Sequence, residues 1–221
     1  MKKIAVIVAA GQGTRMGKEL PKQFLLLHGK PLLYYTLKTF LDAYKDLQVV
    51  LVLPVDYIEL GKEILDAYFS SKPVKIVSGG TTRFMSVKNG LSIIEEEAII
   101  FVHDGVRCLV SNELIHRCYE TALSEGSAIP VISVEESLRK ITEDGNEIID
   151  RNTIKIVQTP QTFHSKILLP AYRIDDKEHF TDEASVVEAF GLKLTLIEGE
   201  KQNIKITRPV DLQFAELLVN N

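Results

Sequence analysis

Short apolar runs alternate with helical patterns along almost the whole chain, and this alternation limits the fold more than any other feature. Six runs are rich in β-branched and other apolar residues at successive positions, which is typical of strands covered on both faces. They span residues 4–10, 48–53, 74–78, 99–102, 128–134 and 194–198. Alternating strands and helices predict an α/β protein with a Rossmann-like, open, mostly parallel twisted sheet and helices on both faces.

Helical patterns fill most of the intervals between these runs. Pro31 suits the first turn of one helix, because the first N–H groups of a helix have no partner and proline has none to satisfy. We expect helices over residues 31–40, 58–69, 83–94, 113–125 and 182–190, and a last one that begins after residues 207–209 and runs to 218. Ligands of open α/β sheets bind beyond the carboxyl ends of the strands. The loops after Ala10, Ser78 and Val102 are therefore candidates for a functional site.

Length and charge exclude several classes of protein. The chain has 221 residues, enough for one domain over residues 1–221 with a large core. Its formal net charge is -4, so it has no global basic field for a nucleic-acid partner, and any anion site must be local. The apolar run after residues 1–3 ends after seven residues, and no stretch approaches the roughly 20 apolar residues of a membrane span. We expect a cytoplasmic protein without a membrane partner.

The loop after the first run carries glycines and two cations. Its sequence is Gly11-Gln12-Gly13-Thr14-Arg15-Met16-Gly17, and Lys22 follows in Pro21-Lys22-Gln23-Phe24. The dinucleotide fingerprint requires a third glycine where Met16 stands, and the P-loop requires a glycine five residues after the first, so neither pattern fits. A bare backbone beside Arg15 and Lys22 can receive and neutralise a polyphosphate, which indicates transfer at a nucleotide phosphate. The alternative is a structural strand-to-helix turn, which has no need of two cations.

Two further loops carry polar side chains. The segment Gly79-Gly80-Thr81-Thr82-Arg83 suits an anion or the polar edge of a base at a helix start. A glycine turn with threonine caps is the alternative. The segment His103-Asp104-Gly105-Val106-Arg107 places an acid at a strand end, where Asp104 can hold Mg²⁺ carried in by a triphosphate. The alternative there is a salt bridge between Asp104 and Arg107.

Residues 133–158 break the alternation of strands and helices. Two β-rich arms flank Asp144-Gly145, which is a hairpin signal. A lone hairpin is marginally stable in water, so it must lie on its own domain or on another subunit. We favour an arm over residues 134–153 that protrudes to a partner chain, and so predict a homodimer. Arg151 and Lys205 add two cations near the late sheet edge, while Thr159 and Thr181 add hydroxyl groups that can equally be surface or capping groups.

Nine short segments, in family order and over almost the whole chain, resemble the 2-C-methyl-D-erythritol 4-phosphate cytidylyltransferases of the non-mevalonate isoprenoid pathway. They are residues 9–17, 21–24, 79–83, 86–90, 103–107, 150–151, 158–161, 181–183 and 203–207. The resemblance implies transfer of a cytidylyl group from CTP to 2-C-methyl-D-erythritol 4-phosphate, with Mg²⁺ and with release of pyrophosphate. It also implies that the hairpin arm interlocks two subunits, so that Arg151 serves the partner's site.

The resemblance further implies a role for each matching residue. Arg15 and Lys22 would stabilise charge on the transferring phosphorus and the leaving pyrophosphate, and Arg151 and Lys205 would position the substrate phosphate. Asp104 would hold the metal. The nucleotide would be held by Ala9, Ala10, Gly11, Gly13, Gly79, Gly80, Arg83 and Ser86. Substrate binding would involve Asp104, Arg107, Arg151, Thr159, Thr181 and Lys205.

Three other functions fit the sequence less well. Ribitol 5-phosphate cytidylyltransferases share most of these motifs but tend to carry Gly-Gly after the first strand, where this chain has Ala9-Ala10. A nicotinamide oxidoreductase is disfavoured by the missing third glycine and by the lack of a ribose-binding acid. A nucleotide-sensing module would not require cations from four separate loops. One departure from the family is Cys108, where a proline is usual, and we expect no catalytic role for this cysteine.

Overall fold

The structure is a computed structural model that describes residues 1–11, 20–177 and 180–219. Twelve strands occur in this part of the chain. They are β1 (Lys2–Val8), β2 (Leu26–Leu27), β3 (Lys30–Pro31), β4 (Leu47–Leu53), β5 (Val74–Ser78), β6 (Ala98–Asp104), β7 (Ser127–Ser133), β8 (Leu138–Thr142), β9 (Gly145–Ile149), β10 (Lys155–Val157), β11 (Gln161–His164) and β12 (Leu196–Glu198). The α-helices are α1 (Leu32–Ala43), α2 (Ile58–Phe69), α3 (Arg83–Leu91), α4 (Asn112–Glu125), α5 (Ser165–Ala171), α6 (Glu183–Ala189) and α7 (Pro209–Leu218).

Eight strands form one central sheet in the order β10-β7-β11-β6-β1-β4-β5, with β12 also paired to β7. The pairs β1–β4, β4–β5 and β1–β6 are parallel, as the alternating pattern predicts. From β1 the chain proceeds to β4 and β5 on one side, and it then returns to β6 on the other side of β1. This reversal makes the β1/β6 boundary a topological switch point, the place where open α/β sheets bind ligands.

The sheet is covered on both faces. Ala5 and Ile7 of β1 join an apolar layer with α1, α2 and α4, whereas Ile4 and Val6 join the layer formed with α3, α5 and α6. Successive side chains of β1 therefore enter opposite layers, which confirms the prediction of a strand buried on both sides. A third, smaller cluster packs α7 against the β2–β3 region through residues that include Leu27, Ile206 and Ala215.

The predicted hairpin is confirmed, because β8 and β9 pair antiparallel with Thr142 opposite Gly145. The first strand ends at Val8, so the prediction that it continues through Ala10 is wrong: beyond Val8 the backbone turns away to form the cavity described below. Helix α3 likewise ends at Leu91, three residues before the predicted end at Ile94. Within the described residues, no helix combines the length and apolar character that crossing a membrane requires.

Strand β11 and helix α5 were not among the predicted elements. Strand β11 inserts antiparallel between β6 and β7, with Gln161 opposite Val102 and Thr162 opposite Ala128. Its four residues, Gln-Thr-Phe-His, are too few and too polar to form an apolar run, so its place depends on the two strands that enclose it. Helix α5 has only seven residues and contains Pro170, which disfavours a helical interpretation of the sequence alone.

Candidate active site

A cavity of about 500 Å³ opens at the carboxyl ends of β1 and β6, where Val8 and Asp104 are direct neighbours in the sheet. Its walls come from the loops after β1, β5 and β6, and from the segment that precedes α7. The lining residues are Val8, Ala9, Ala10, Gly11, Lys22, Gln23, Gly80, Thr81, Thr82, Arg83, Ser86, Asp104, Val106 and Lys205. The sequence predicted nine of these as site residues, and they come from five separated segments of the chain.

The loops after β1 and β5 contact each other through their smallest residues. A Cβ atom on Gly79 would lie 2.4 Å from the Cβ atom of Ala10, far inside van der Waals contact. The amide of Gly79 donates to Leu53 O at 2.7 Å, and the amide of Ala9 donates to Val52 O at 2.9 Å. Glycine at 79, which does not itself line the cavity, and alanine at 10 therefore let two backbone segments meet beside the cavity wall.

Gln23 secures the start of the glycine loop. Its buried side-chain amide donates to Ala9 O at 2.6 Å and to Gly11 O at 3.2 Å. Gln23 belongs to a short 3₁₀ turn, Lys22–Phe24, in which Phe24 stacks on Tyr57 at 5.4 Å. Lys22 therefore sits on the cavity wall directly before two anchored residues. Gln23 was not predicted as a site residue, although it lies inside the recognised Pro-Lys-Gln-Phe segment.

The start of α3 forms another part of the wall. Thr82 caps the helix by accepting a hydrogen bond from Met85 N at 3.1 Å, as the capping alternative predicts. The Ser86 hydroxyl donates to Thr82 O at 2.9 Å and accepts from Gly80 N at 3.0 Å, which holds the Gly79-Gly80 turn against the helix. Capping and cavity formation thus coexist here, because the positive end of α3 faces the same space.

Three cationic side chains surround the buried carboxylate of Asp104. Lys205 Nζ lies 2.9 Å from Oδ2, Arg107 Nε lies 3.5 Å from Oδ2, and Arg83 Nη2 lies 3.4 Å from Oδ1. Burial alone raises the pKa of this carboxyl, but Arg83, Lys205 and Arg107 outweigh it and hold the pKa well below its usual range. Asp104 is therefore an anion at neutral pH. The salt bridge between Asp104 and Arg107 that the sequence offered as an alternative is present, and Asp104 also lines the cavity.

A buried histidine and threonine support the backbone at Asp104. Thr159 Oγ1 accepts from Asp104 N at 3.2 Å and lies 2.9 Å from His103 Nδ1. His103 Nε2 is 3.2 Å from Arg107 O, and because a carbonyl only accepts, Nε2 carries the ring proton and Nδ1 accepts from Thr159. Burial lowers the pKa of His103 to about 3, so the ring is neutral.

The other predicted residues have different positions. Thr159 is buried behind Asp104, and Arg107 donates to Asn203 O at 2.7 Å; neither side chain lines the cavity. Thr181 is exposed and precedes Asp182, the N-cap of α6. Arg151 is exposed in the hairpin arm, where its guanidinium contacts Glu135 O. Arg15 and Gly13 lie outside the described residues. The roles assigned to all of these stay predictions.

Glu183 was missed as a functional candidate. It is fully buried at the first residue of α6, and both of its carboxylate oxygens pair with the Arg83 guanidinium. The Tyr172 hydroxyl donates to the same carboxylate at 3.2 Å. The signal was present in the recognised Thr-Asp-Glu segment, but a glutamate at a helix start is ordinarily understood as a favourable helix-dipole charge.

Cys108 packs into the third apolar cluster with Leu27 and Ile206. Burial raises the pKa of its thiol to about 12, so the thiolate that nucleophilic chemistry needs is not formed near neutral pH. The replacement of the usual proline therefore adds an apolar contact beside Arg107 and no reactive group.

The donor set on the cavity wall limits the kind of metal site. Among the described residues, no group of three or more histidine, cysteine, aspartate or glutamate side chains could hold a metal ion. Asp104 is the one carboxylate among the described residues that line the cavity. This set does not form an all-protein cage, but it fits Mg²⁺ bound mainly by substrate phosphates with a single protein carboxylate.

Comparisons with known proteins agree with this geometry. A sequence model of the family IspD, 2-C-methyl-D-erythritol 4-phosphate cytidylyltransferase, matches residues 3–221. Enzymes of that name from Phocaeicola vulgatus and Bacteroides fragilis are 45% and 46% identical to the chain over 219 residues, which is 99% of this chain and 100% of each relative.

Solved structures agree as well. The 4-diphosphocytidyl-2C-methyl-D-erythritol synthase of Anaerococcus prevotii has a TM-score of 0.83 at 28% identity, with 98% of each chain covered. The 2-C-methyl-D-erythritol 4-phosphate cytidylyltransferase of Thermus thermophilus has a TM-score of 0.78 at 31% identity, covering 99% of this chain and 98% of that one. The chain therefore belongs to the 2-C-methyl-D-erythritol 4-phosphate cytidylyltransferase family.

Proposed function

We propose that the protein transfers the cytidylyl group of CTP to 2-C-methyl-D-erythritol 4-phosphate, giving 4-diphosphocytidyl-2-C-methyl-D-erythritol and pyrophosphate for isoprenoid precursor biosynthesis. Family membership and the names of the relatives assign this reaction, and they do not favour ribitol 5-phosphate. The observation that carries it in the structure is the convergence of Lys22, Arg83 and Lys205 on one cavity at the switch point of the sheet.

The reaction needs little covalent chemistry from the protein. An oxygen of the substrate phosphate attacks the α-phosphorus of CTP, and the bond from that phosphorus to the bridging oxygen of pyrophosphate breaks. The attacking oxygen is already ionised, so no general base has to remove a proton. Catalysis then rests on positioning of the reactants and on electrostatic stabilisation of the transition state. Among the described residues, the cavity wall has lysine and arginine side chains and no histidine, which matches that requirement.

Each cation has a part in this proposal. Lys22 stabilises negative charge on the transferring phosphoryl group and on the leaving pyrophosphate. Lys205, whose side chain is 41% exposed, is held at the cavity edge by Asp104 and receives the phosphate of the acceptor. Asp104 thus places one lysine ammonium group where the second substrate enters. We assign CTP to the backbone wall formed by residues 9–11 and 79–80.

A divalent cation belongs to the same proposal. We propose that Mg²⁺ enters with the triphosphate and that Asp104 offers it one carboxylate oxygen. Bound there, it would neutralise phosphate charge and favour departure of pyrophosphate. Since Asp104 is already paired with Lys205, Arg83 and Arg107, most of the ligands must come from phosphate oxygens and water. We also propose that the enzyme works in the cytoplasm, where CTP is available.

The arm supports a proposal of a homodimer. Strands β8 and β9 form a separate two-stranded sheet, and Arg151 at its base is exposed and absent from the cavity wall of its own chain. A hairpin with this little support from its own domain gains stability when it packs on a second chain. In such a dimer Arg151 of each protomer reaches the acceptor phosphate in its partner's cavity.

Pyrophosphate release tests the reaction. The enzyme is incubated with CTP and Mg²⁺, and with either 2-C-methyl-D-erythritol 4-phosphate or ribitol 5-phosphate. We expect release with the erythritol phosphate, at a kcat/KM at least about 100-fold above that with ribitol phosphate, a difference of about 2.7 kcal/mol. Release with ribitol 5-phosphate alone would contradict the proposed acceptor.

Mixing two inactive variants tests the shared site. An Arg151→Ala protomer keeps an intact cavity, and a Lys22→Ala protomer keeps an intact arm. After equal mixing, half of the dimers are mixed and one site in each of them is complete, so roughly a quarter of the wild-type activity should return. No recovery, with mixed dimers demonstrated by mass, would mean that each site is built from one chain.

A further inference from the structure

We propose that Glu183 is a positioning residue, which holds the Arg83 guanidinium on the cavity wall and so couples the nucleotide-binding loop to the start of α6. This inference rests on the proposed function for its kinetic readout. Arg83 and Glu183 are 100 residues apart in the sequence, and their contact joins the first residue of α3 to the first residue of α6.

The contact between Arg83 and Glu183 is bidentate and buried. Arg83 Nη2 donates to Glu183 Oε2 at 3.1 Å, and Nη1 pairs with Oε1. Glu183 has no exposed surface, and only a quarter of the Arg83 side chain is exposed. Two parallel N–H···O bonds fix the plane of the guanidinium as well as its position, which a single contact to a lysine ammonium group cannot do.

Tyr172 completes the environment of Glu183. Its hydroxyl donates to Oε1 at 3.2 Å, and its ring stacks on Phe84, the neighbour of Arg83, at 4.8 Å. Glu183 therefore has a charged partner and a neutral donor, both of which have their own anchors. A buried carboxylate with these partners is costly to move, since any displacement leaves a charge without compensation.

Arg83 in turn connects Glu183 to the reacting space. Its Nη2 atom is 3.4 Å from Asp104 Oδ1, and Arg83 lines the cavity. The guanidinium thus lies between two carboxylates, of which Glu183 is behind the wall and Asp104 is on it. With one side held by Glu183, the guanidinium cannot turn fully toward Asp104 or toward a bound phosphate.

The same contact joins the two predicted substrate regions. Arg83 follows the Gly79-Gly80 turn, which we assign to the nucleotide, whereas Glu183 follows Thr181, to which the resemblance assigns substrate binding. Loss of Glu183 should release Arg83 from its orientation and let the two regions move independently. The expected result is a fall in kcat that exceeds any change in the KM for CTP. The Arg83 guanidinium remains present in the variant, but its orientation is no longer fixed.

A double-mutant cycle tests the coupling. Glu183→Gln and Arg83→Met are compared singly and together for kcat/KM, with Mg²⁺, CTP and 2-C-methyl-D-erythritol 4-phosphate as substrates. We expect Glu183→Gln to lower kcat at least tenfold with the KM for CTP changed less than threefold. If Glu183 acts through Arg83, the double variant should match Arg83→Met within twofold. Multiplicative losses in the double variant would overturn the proposal.

Asp182→Ala is the matched control. Asp182 caps the same helix by accepting from Ser185 N at 2.9 Å, but it does not contact Arg83. We expect a lower unfolding temperature and a kcat within twofold of the wild type. If Asp182→Ala reproduces the kinetic loss of Glu183→Gln, the role of Glu183 is only to stabilise the helix start. If Glu183→Gln does not fold, Glu183→Asp, which keeps the charge and withdraws it by one methylene, replaces it in the cycle.

Equilibrium CTP binding separates this proposal from the proposed reaction. If wild-type enzyme releases no pyrophosphate with the erythritol phosphate, the reaction assignment fails. The cycle can then be repeated with calorimetric CTP affinity as the readout. We expect Arg83→Met to weaken binding, Glu183→Gln to change it by less than threefold, and the double variant to bind as weakly as Arg83→Met. Additive losses in affinity would overturn the coupling whatever the acceptor is.

Discussion

The cavity and the hairpin arm differ in whether their side chains have partners within the same chain. In the cavity wall, Asp104 has a side chain only 9% exposed and three cations in contact, and Glu183 is completely buried against Arg83. On the arm, Ile141 and Ile148 are 79% and 78% exposed. Strands β8 and β9 pair with each other and join no other sheet in the described part of the chain.

This contrast separates two kinds of functional surface within one chain. Buried charges are tolerated only with partners, and the cavity wall has its partners in its own chain. The arm instead presents apolar side chains and a backbone that one chain leaves exposed. The first region suits a charged small molecule, and the second is the surface to which the proposed dimer assigns the partner chain. Changes at matched residues in the two regions test whether the cavity and the arm differ in this way.

Removing a cation should have the largest effect, and only in the cavity. Lys22→Ala should lower kcat/KM by about 10²–10³, since a preorganised group that stabilises transition-state charge contributes roughly 3–4 kcal/mol. Lys140→Ala is the matched change on the arm, where Lys140 pairs with Glu147 on an exposed surface. We expect less than a threefold change for Lys140→Ala, because exposed ion pairs contribute about 0–1 kcal/mol. Equal kinetic losses would remove the distinction between the two regions.

Charging the arm should have the next largest effect, on association. Burying one isoleucine side chain contributes about 1.5–3 kcal/mol, so Ile141→Asp combined with Ile148→Asp should raise the dimer dissociation constant at least about 100-fold. Analytical ultracentrifugation measures this directly. The resulting monomer should still bind CTP but turn it over poorly, because Arg151 of a partner is missing. An unchanged sedimentation coefficient would contradict the proposed role of the arm.

Acid should destabilise the buried region through His103. The folded state keeps the ring neutral with a pKa of about 3, whereas the unfolded chain binds a proton below pH 6.5. Stability should therefore fall as the pH drops from 6.5 toward 3, by about 1.4 kcal/mol per pH unit. Urea unfolding at pH 6.5 and pH 5 should show a loss about 1.6 kcal/mol larger in the wild type than in His103→Gln.

A histidine on the surface is the control for the acid effect. His116 is exposed on α4, and His116→Gln leaves the buried ring of His103 in place, so this variant controls for the replacement of a histidine by glutamine. If His103→Gln and the wild type lose equal stability between these pH values, the ring is not the group responsible.

Adding one methyl group at two glycines should have the smallest effect and should distinguish the regions most finely. Gly79→Ala would force a Cβ atom to within 2.4 Å of the Ala10 Cβ atom, and overpacking of this kind costs about 1–3 kcal/mol. It should also weaken CTP binding by separating the two loops. Gly145→Ala meets no atom within 4 Å but places a side chain at a φ of +137°.

The Gly145→Ala change should therefore cost about 1–3 kcal/mol of stability, from backbone strain, and leave CTP affinity unchanged. Calorimetry would provide both the unfolding temperature and the CTP affinity of each variant. CTP affinity that falls equally in both variants would show that the contact between Gly79 and Ala10 has no special role.

The sequence predicted the parts of the molecule that depend on local pattern. The parallel strands were recognisable because burial on both faces requires continuous apolar, often β-branched runs such as that of β4. The gathering of Lys22, Asp104 and Lys205 followed from motifs and from the rule that ligands bind at the carboxyl ends of strands. Strand β11 could not be predicted, because its pairing depends on β6 and β7 enclosing it.

Contacts between distant segments could not be predicted from the local sequence pattern either. Nothing near Glu183 in the sequence shows that Arg83 lies opposite it, and nothing near Gln23 shows that its amide reaches Ala9 O. Thr159 was predicted to contact substrate, yet its hydroxyl is already engaged with His103 and Asp104. Residue identity restricted which chemistry was possible, and the tertiary fold decided which partner each group has.

The insertion of β11 between β6 and β7 has a consequence for synthesis of the protein on the ribosome. Strands β1, β4, β5 and β6 are complete by residue 104, but the edge of β6 remains open until residues 161–164 emerge, and Glu183 and Lys205 follow later still. A nascent chain therefore contains Arg83 before its bidentate partner Glu183, and Asp104 before Lys205, the nearest of its three cations. We expect a chain that ends before residue 183 to bind CTP weakly, which calorimetry on the truncated protein can measure. The charge balance of the active site is among the last features that translation completes.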